Sequence, residues 1–172
     1  RGGADRGCGK TMRRLLAMMT VATSTAGLVV NSLAQTRCQR AGRLAASIAD
    51  HMSEVLFVEC GFGADQHGQQ PTKACVRACR NAIEFNSLPR IRHLVPNGYE
   101  GMKLHVQLGV PAPYLGCVDT VEVARVFPYG DVKVEVEVGG LLADSGIALE
   151  AMGDKNSDMI IAVACVTVGY QA

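Results

Sequence analysis

Asp131-Val-Lys-Val-Glu-Val-Glu-Val138 sets a valine at every second position against Lys133, Glu135 and Glu137. An alternation of period two marks a strand with one face buried and one face wet. Met102-Lys-Leu-His-Val-Gln-Leu-Gly-Val110 repeats the pattern. Met102, Leu104, Val106, Leu108 and Val110 share one face, Lys103, His105 and Gln107 the other, and Pro111-Ala-Pro113 stops the run. Further along, Met159 to Val168 is apolar on both faces, which suits a central strand or one covered by a partner. Upstream, Val55-Leu-Phe-Val58 reads as a short buried strand ending at Glu59 and a glycine-rich turn, Gly61-Phe-Gly63. Two helices separate the strands. Pro71-Thr72 opens the first, with Thr72 as N-cap and Cys75, Val76, Cys79, Ala82 and Ile83 recurring at spacings of three and four. It is expected to stop near Asn86-Ser-Leu-Pro89. Asp119 to Phe127 makes the second, with Val123, Val126 and Phe127 inward and Pro128-Tyr-Gly130 closing it. The order β-α-β-α-β-β predicts an α+β two-layer fold with the helices on one face of the sheet. The opposite face then carries Lys103, His105, Gln107, Lys133, Glu135 and Glu137 together, as a solvated surface, a subunit interface or a ligand cleft.

The chain has 172 residues, 48% of them apolar and 19% charged, a globular composition that excludes global disorder. Its net charge of +1 is unevenly spread. Residues 1–50 hold eight Lys and Arg against two acids, and residues 51–172 hold nine against fourteen. From Arg6 to Ala49 there is no acid, and the basic residues are scattered among Ser, Thr and Ala, the composition of an organelle transit peptide. Residues 1–50 are therefore expected to be a targeting-like extension, addressed to chloroplast or mitochondrion with the cytoplasm as alternative, and residues 51–172 a single domain. Leu15 to Thr36 is uncharged but diluted by Thr20, Thr23, Ser24, Asn31 and Gln35, which favours a cleaved segment over a membrane anchor. A misplaced gene start is the third reading, since Arg1 opens the chain and Met12 is its first methionine. Ala4 to Thr11 satisfies a relaxed phosphate-loop pattern, but no strand precedes it to aim backbone N–H groups at a phosphate.

Seven dispersed cysteines, mostly in apolar runs, read as reduced thiols. Cys75 and Cys79 lie one helical turn apart. No second Cys or His pair follows at zinc spacing, so they read as small core residues, and no metal site or cofactor is assigned.

The chemistry-bearing residues gather in loops. Glu59, Asp65, His67 and Lys73 fall within one glycine-rich strand-to-helix connection. Asp65-x-His67 suits a histidine general base oriented by a carboxylate, or two metal ligands with Glu59 as third. A loop whose side chains bond its own backbone is the plainer alternative. Lys73, Arg77, Arg80 and Glu84 share a helical stripe that suits an anion cradle or a solvated face. Ser145 follows an acid in the turn after Gly139-Gly140, but Ala143 stands where a nucleophile elbow needs glycine. Asp154-Lys155-Asn156-Ser-Asp158 imitates a calcium loop, yet Met159 and Cys165 occupy its required glycine and glutamate positions. No nucleic-acid motif appears, and the acidic domain offers no basic footprint for phosphate backbones.

The strings VECGFGADQHGQ at 58–69, TKACVRACRNAIEFNSLP at 72–89, MKLHVQLGVP at 102–111, VFPYG at 126–130, VEVEVGGLLADSGIAL at 134–149 and GDKNSDMIIAVACVTVGY at 153–170 resemble the Lin0512 family of uncharacterised proteins. The resemblance spans roughly residues 54–170. It implies a compact α+β unit, similar by fold-level analogy to small ring-forming chorismate-mutase-like units, and hence a homo-oligomer. It implies no reaction. The chain departs from the family pattern in its basic front and in the stretch Ala112 to Val118.

Two functions fit these residues. The first is a binding protein or enzyme for a small polar or anionic metabolite. His67 would be its acid/base and Asp65 the orienter, with Glu59 and Ser145 beside them. Lys73, Arg77, Asp154, Lys155 and Asn156 would hold substrate. The second is a structural or interaction subunit of an organelle assembly, without catalysis. No stable membrane span is expected in the mature domain.

Overall fold

The computed structural model describes residues 46–172. The transit-like front, the uncharged run from Leu15 to Thr36 and the phosphate-loop-like pattern lie outside them. After helical residues 46–51 the elements run β1 (Glu54–Asp65), α1 (Pro71–Ile83), α2 (Ile91–Leu94), β2 (Met102–Val110), α3 (Thr120–Ala124), β3 (Asp131–Val138), β4 (Leu141–Asp144) and β5 (Asp158–Tyr170), with short 3-10 turns between. No helix of the described residues is long and apolar enough to cross a membrane.

The five strands form one mixed sheet in the order β1-β5-β2-β3. The last strand is inserted between the first two, antiparallel to both, and β2 and β3 are parallel. The α+β class is as expected. The element order differs by a short helix, α2, and by one strand: β4, expected as part of a turn, pairs with the first residues of β5 just beyond the end of β2. The central position of β5 explains its two-sided apolar sequence.

The second difference lies in β1. It does not end at Glu59 but runs on through Gly61 and Gly63 to Asp65. Those glycines are not a turn. They are where α1 crosses the strand: a Cβ on Gly61 would stand 2.5 Å from Ala82 N, and one on Gly63 would stand 2.7 Å from Arg77 Cβ and against Ala74 O and Ala78 N. Glycine is needed there for close approach of two backbones. On the same face, Ala74, Cys75, Ala78 and Cys79 of α1 pack on Val106, Leu108, Val166 and Ala164, all essentially sealed from solvent. The helix starts two residues earlier than predicted, with Gln70 rather than Thr72 at its cap, and stops at Ile83. In α3 the cap is Asp119, whose carboxylate accepts from Val121 N and Glu122 N at 2.9 and 3.1 Å.

The opposite face divides in two. Toward β3, Lys103 pairs with Asp131 at 2.7 Å, His105 lies 3.4 Å from Glu135, and Gln107 bonds Glu137. His51 reaches over to Asp131 O at 3.2 Å, and His105 is buried, which pushes its imidazole below the usual range. Toward β1, the face is apolar and open, with Val58, Phe62 and Val163 exposed.

Candidate functional site

The carboxyl end of β1 and the start of β5 are neighbours, since Asp65 pairs with Ile160. The loop after β1 and the loop before β5 therefore meet at one edge of the sheet. Their meeting point is Asp154. Its side chain is 1% exposed and its Oδ1 accepts from Gly68 N at 2.6 Å, while its Oδ2 accepts from Leu149 N at 2.8 Å. His67 Nδ1 lies 2.8 Å from the same Oδ2. The Leu149 N–H, then His67 and the Gly68 N–H, hold the Asp154 carboxyl down at about 2. It is thus ionised across the physiological range and can only accept, so the proton sits on His67 Nδ1. Nε2 is left as the basic nitrogen, on a side chain 23% exposed. A buried carboxylate fixing an imidazole tautomer is the arrangement of a general base, and it also stabilises the imidazolium once formed.

The orienter of His67 is therefore Asp154, and the expected pairing with Asp65 is replaced. As the last residue of β1, on the face that Gly61 and Gly63 share, Asp65 turns under α1 instead. Its Oδ2 accepts from Gln70 N at 3.0 Å at the helix start. Its Oδ1 lies 2.8 Å from Lys73 Nζ and 3.5 Å from Arg77 Nη1, an ionic contact without hydrogen-bond geometry. Arg77 also donates to Ala64 O. Lys73 and Arg77 thus neutralise a buried acid while their side chains stay half exposed at the edge.

The later loop is stitched to the first by a residue that the sequence reading did not single out. Gln69 is buried and held at φ 45°, next to Gly68 at φ 92°. Its amide donates to Asn156 O at 3.2 Å and Asp158 O at 3.1 Å, and its Oε1 accepts from Lys155 N at 2.8 Å. Lys155 and Asn156 therefore contribute backbone to the joint, and the Lys155 side chain projects to solvent. Asn156 Nδ2 donates to Asp158 Oδ2 at 2.9 Å, and Tyr114 OH donates to the same oxygen at 2.9 Å. No local signal marks Gln69 or Tyr114. Their partners are 86 to 89 and 44 residues away in sequence.

Ser145 and Glu59 stand apart from the dyad chemistry. The Ser145 hydroxyl lies 2.8 Å from Ile147 O and 2.9 Å from Ser157 O, so its one proton is held by backbone carbonyls in the turn before β5. Glu59 sits six residues before Asp65 on β1, about 20 Å along the strand. It faces a different groove, beside Asn86. Among the described residues no three His, Cys, Asp or Glu side chains converge as a metal site.

A family model described as a conserved hypothetical protein (Lin0512_fam) matches residues 55–168. Among solved structures the chain is similar to an FtsZ-like protein of unknown function from Nostoc punctiforme, at 42% sequence identity. The match covers 69% of this chain and 96% of that one with a TM-score of 0.62. No curated protein matches.

Proposed function

The chain belongs to the Lin0512 family of conserved hypothetical proteins, and on that premise we propose that it binds, and acts by proton transfer on, a small polar or anionic metabolite. The reading is carried by one observation: His67 Nδ1 held 2.8 Å from a buried, ionised Asp154, with the imidazole partly open to solvent. A histidine that serves only packing has no need of a carboxylate held by two further backbone donors. Lys73, Arg77 and Lys155 at the same sheet edge supply positive charge for an anionic group. The acid-poor front of residues 1–50 supports an organelle as the place of action. Native mass spectrometry of the full chain, purified gently from its host, tests the reading. A reproducible retained mass is expected, and His67→Ala should release it, or abolish turnover of the compound identified, with little change in melting temperature. Retention unaffected by His67→Ala would refute the assignment.

A second reading, an interaction subunit, rests on the open apolar half of the sheet, where Val58, Phe62 and Val163 are exposed side by side on β1 and β5. Self-association through this face would give the homo-oligomer that the analogy with ring-forming units implies. Sedimentation of Phe62→Asp against the unaltered chain tests this use of the face: a monomer only in the variant supports it, and an unchanged mass removes it.

A further inference from the structure

Far from the His67 edge, the groove that Glu59 faces has a composition of its own. It opens between β1, the chain after α1 and the turn before β3, with a volume of about 370 Å³. That is room for about a dozen water-sized groups. The protein has four Phe, four Tyr and no Trp, and half of these eight aromatics line this one groove: Phe57, Tyr99, Phe127 and Tyr129. Tyr99 and Tyr129 stack with ring centroids 4.7 Å apart. Among the described residues Glu59 is the single charged side chain in the lining, and Asn86, just after α1, bonds its carboxylate while donating to Ala82 O at 2.9 Å.

We propose that this groove is a binding site for a small free organic cation, an ammonium carried on a flat apolar body. Aromatic faces present negative potential and attract cations, and a carboxylate within apolar walls attracts one more strongly than it would in water. The neutral amide of Asn86 bonds the carboxylate without cancelling its charge, and among the described residues no basic side chain lines the groove to do so. Partial burial raises the Glu59 carboxyl above its ordinary value, a cost that an incoming ammonium relieves. An anionic ligand would meet Glu59 unpaired. A neutral apolar one would leave the carboxylate desolvated with only the neutral Asn86 amide as partner.

The test is NMR titration of the full chain at fixed ionic strength with 2-phenylethylammonium chloride and, in parallel, 2-phenylethanol, which keeps the body and removes the charge. Saturable shifts at Tyr99, Tyr129 and Phe127 are expected with the ammonium, with a dissociation constant of about 1 mM or tighter. The alcohol should bind at least about tenfold more weakly, one tenfold step being a single charge-assisted contact. Glu59→Gln should bring the ammonium down to the level of the alcohol, and Tyr129→Leu, at an exposed position, should weaken the ammonium more than the alcohol. Equal affinity for the two probes, an ammonium affinity unchanged in Glu59→Gln, shifts mapping elsewhere, or no saturation would each overturn the assignment. The comparison of probes on the unaltered chain stands even if a variant fails to fold. Either outcome leaves the His67 reading untouched, because Glu59 lies at the middle of β1, six residues from Asp65 at the strand end, and the two sites share no lining residue.

Discussion

Replacing Gly63 by alanine adds one methyl group at the point where α1 rests on β1. The new Cβ would meet Ala74 O, Ala78 N and, at 2.7 Å, Arg77 Cβ. Two of these are helix backbone and cannot rotate away. Restoring ordinary contact requires α1 to back off by about 1 Å. That shift lifts Ala74, Cys75, Ala78 and Cys79 together, all fully buried, from the sheet. Overpacking of this kind costs about 1–3 kcal/mol, and the smaller entropy of an unfolded alanine returns about 0.5 kcal/mol. A net loss of about 1.5 kcal/mol should lower the melting temperature of a domain this size by roughly 4–8 °C. The site should feel it too, because Asp65 and Lys73 tie the strand end to the helix start and the His67 loop lies between them. Thermal melting by circular dichroism is the assay. Gly116→Ala is the internal control, since nothing lies within 4 Å of that position. A Gly63→Ala variant as stable as Gly116→Ala would refute the close-approach argument.

Other outcomes are expected from the same geometry. The Asp154 carboxyl is held at about 2 against an ordinary 3.8, so its contribution to stability is whole above pH 3.8 and lost as pH falls toward 2. Acid unfolding of Asp154→Asn, followed by fluorescence or circular dichroism, should therefore lose the component in that window. The variant should also free the His67 ring to flip, visible in its imidazole NMR signals at fixed pH. Burial pushes the Cys75 and Cys79 thiols up to about 12, so both should resist maleimide at pH 8 until the protein unfolds, while exposed Cys60 and Cys117 react at once. Peptide mapping after a short pulse reads this directly. Asp119→Ala removes both acceptor contacts at the start of α3 and should cost about 1 kcal/mol in urea unfolding, with no effect on ligand retention.

The strands that alternate in sequence were legible because a sheet with one covered face repeats every two residues, and burial enforces that repeat locally. Met102–Val110 and Asp131–Val138 are found at the positions their side chains announce. Gly61 and Gly63 misled for the opposite reason. A glycine in a turn and a glycine under a helix look alike in a chain, and only the approach of α1 tells them apart. The four residues of β4 carry too short a pattern to register without β5 beside them. The candidate loops were legible as loops rich in polar chemistry, but not their wiring. Asp65 stands two residues from His67, and proximity in sequence suggested a pair. In the folded chain the strand turns Asp65 under the helix, and Asp154, 87 residues away, receives the imidazole. Composition and periodicity alone thus determined an α+β domain with a charged front and an uneven sheet face, because those properties depend on near neighbours. The dyad, the Gln69 stitch and the separation of Glu59 into a second groove were decided only by the tertiary structure. Each depends on which distant segments the insertion of β5 between β1 and β2 brings together.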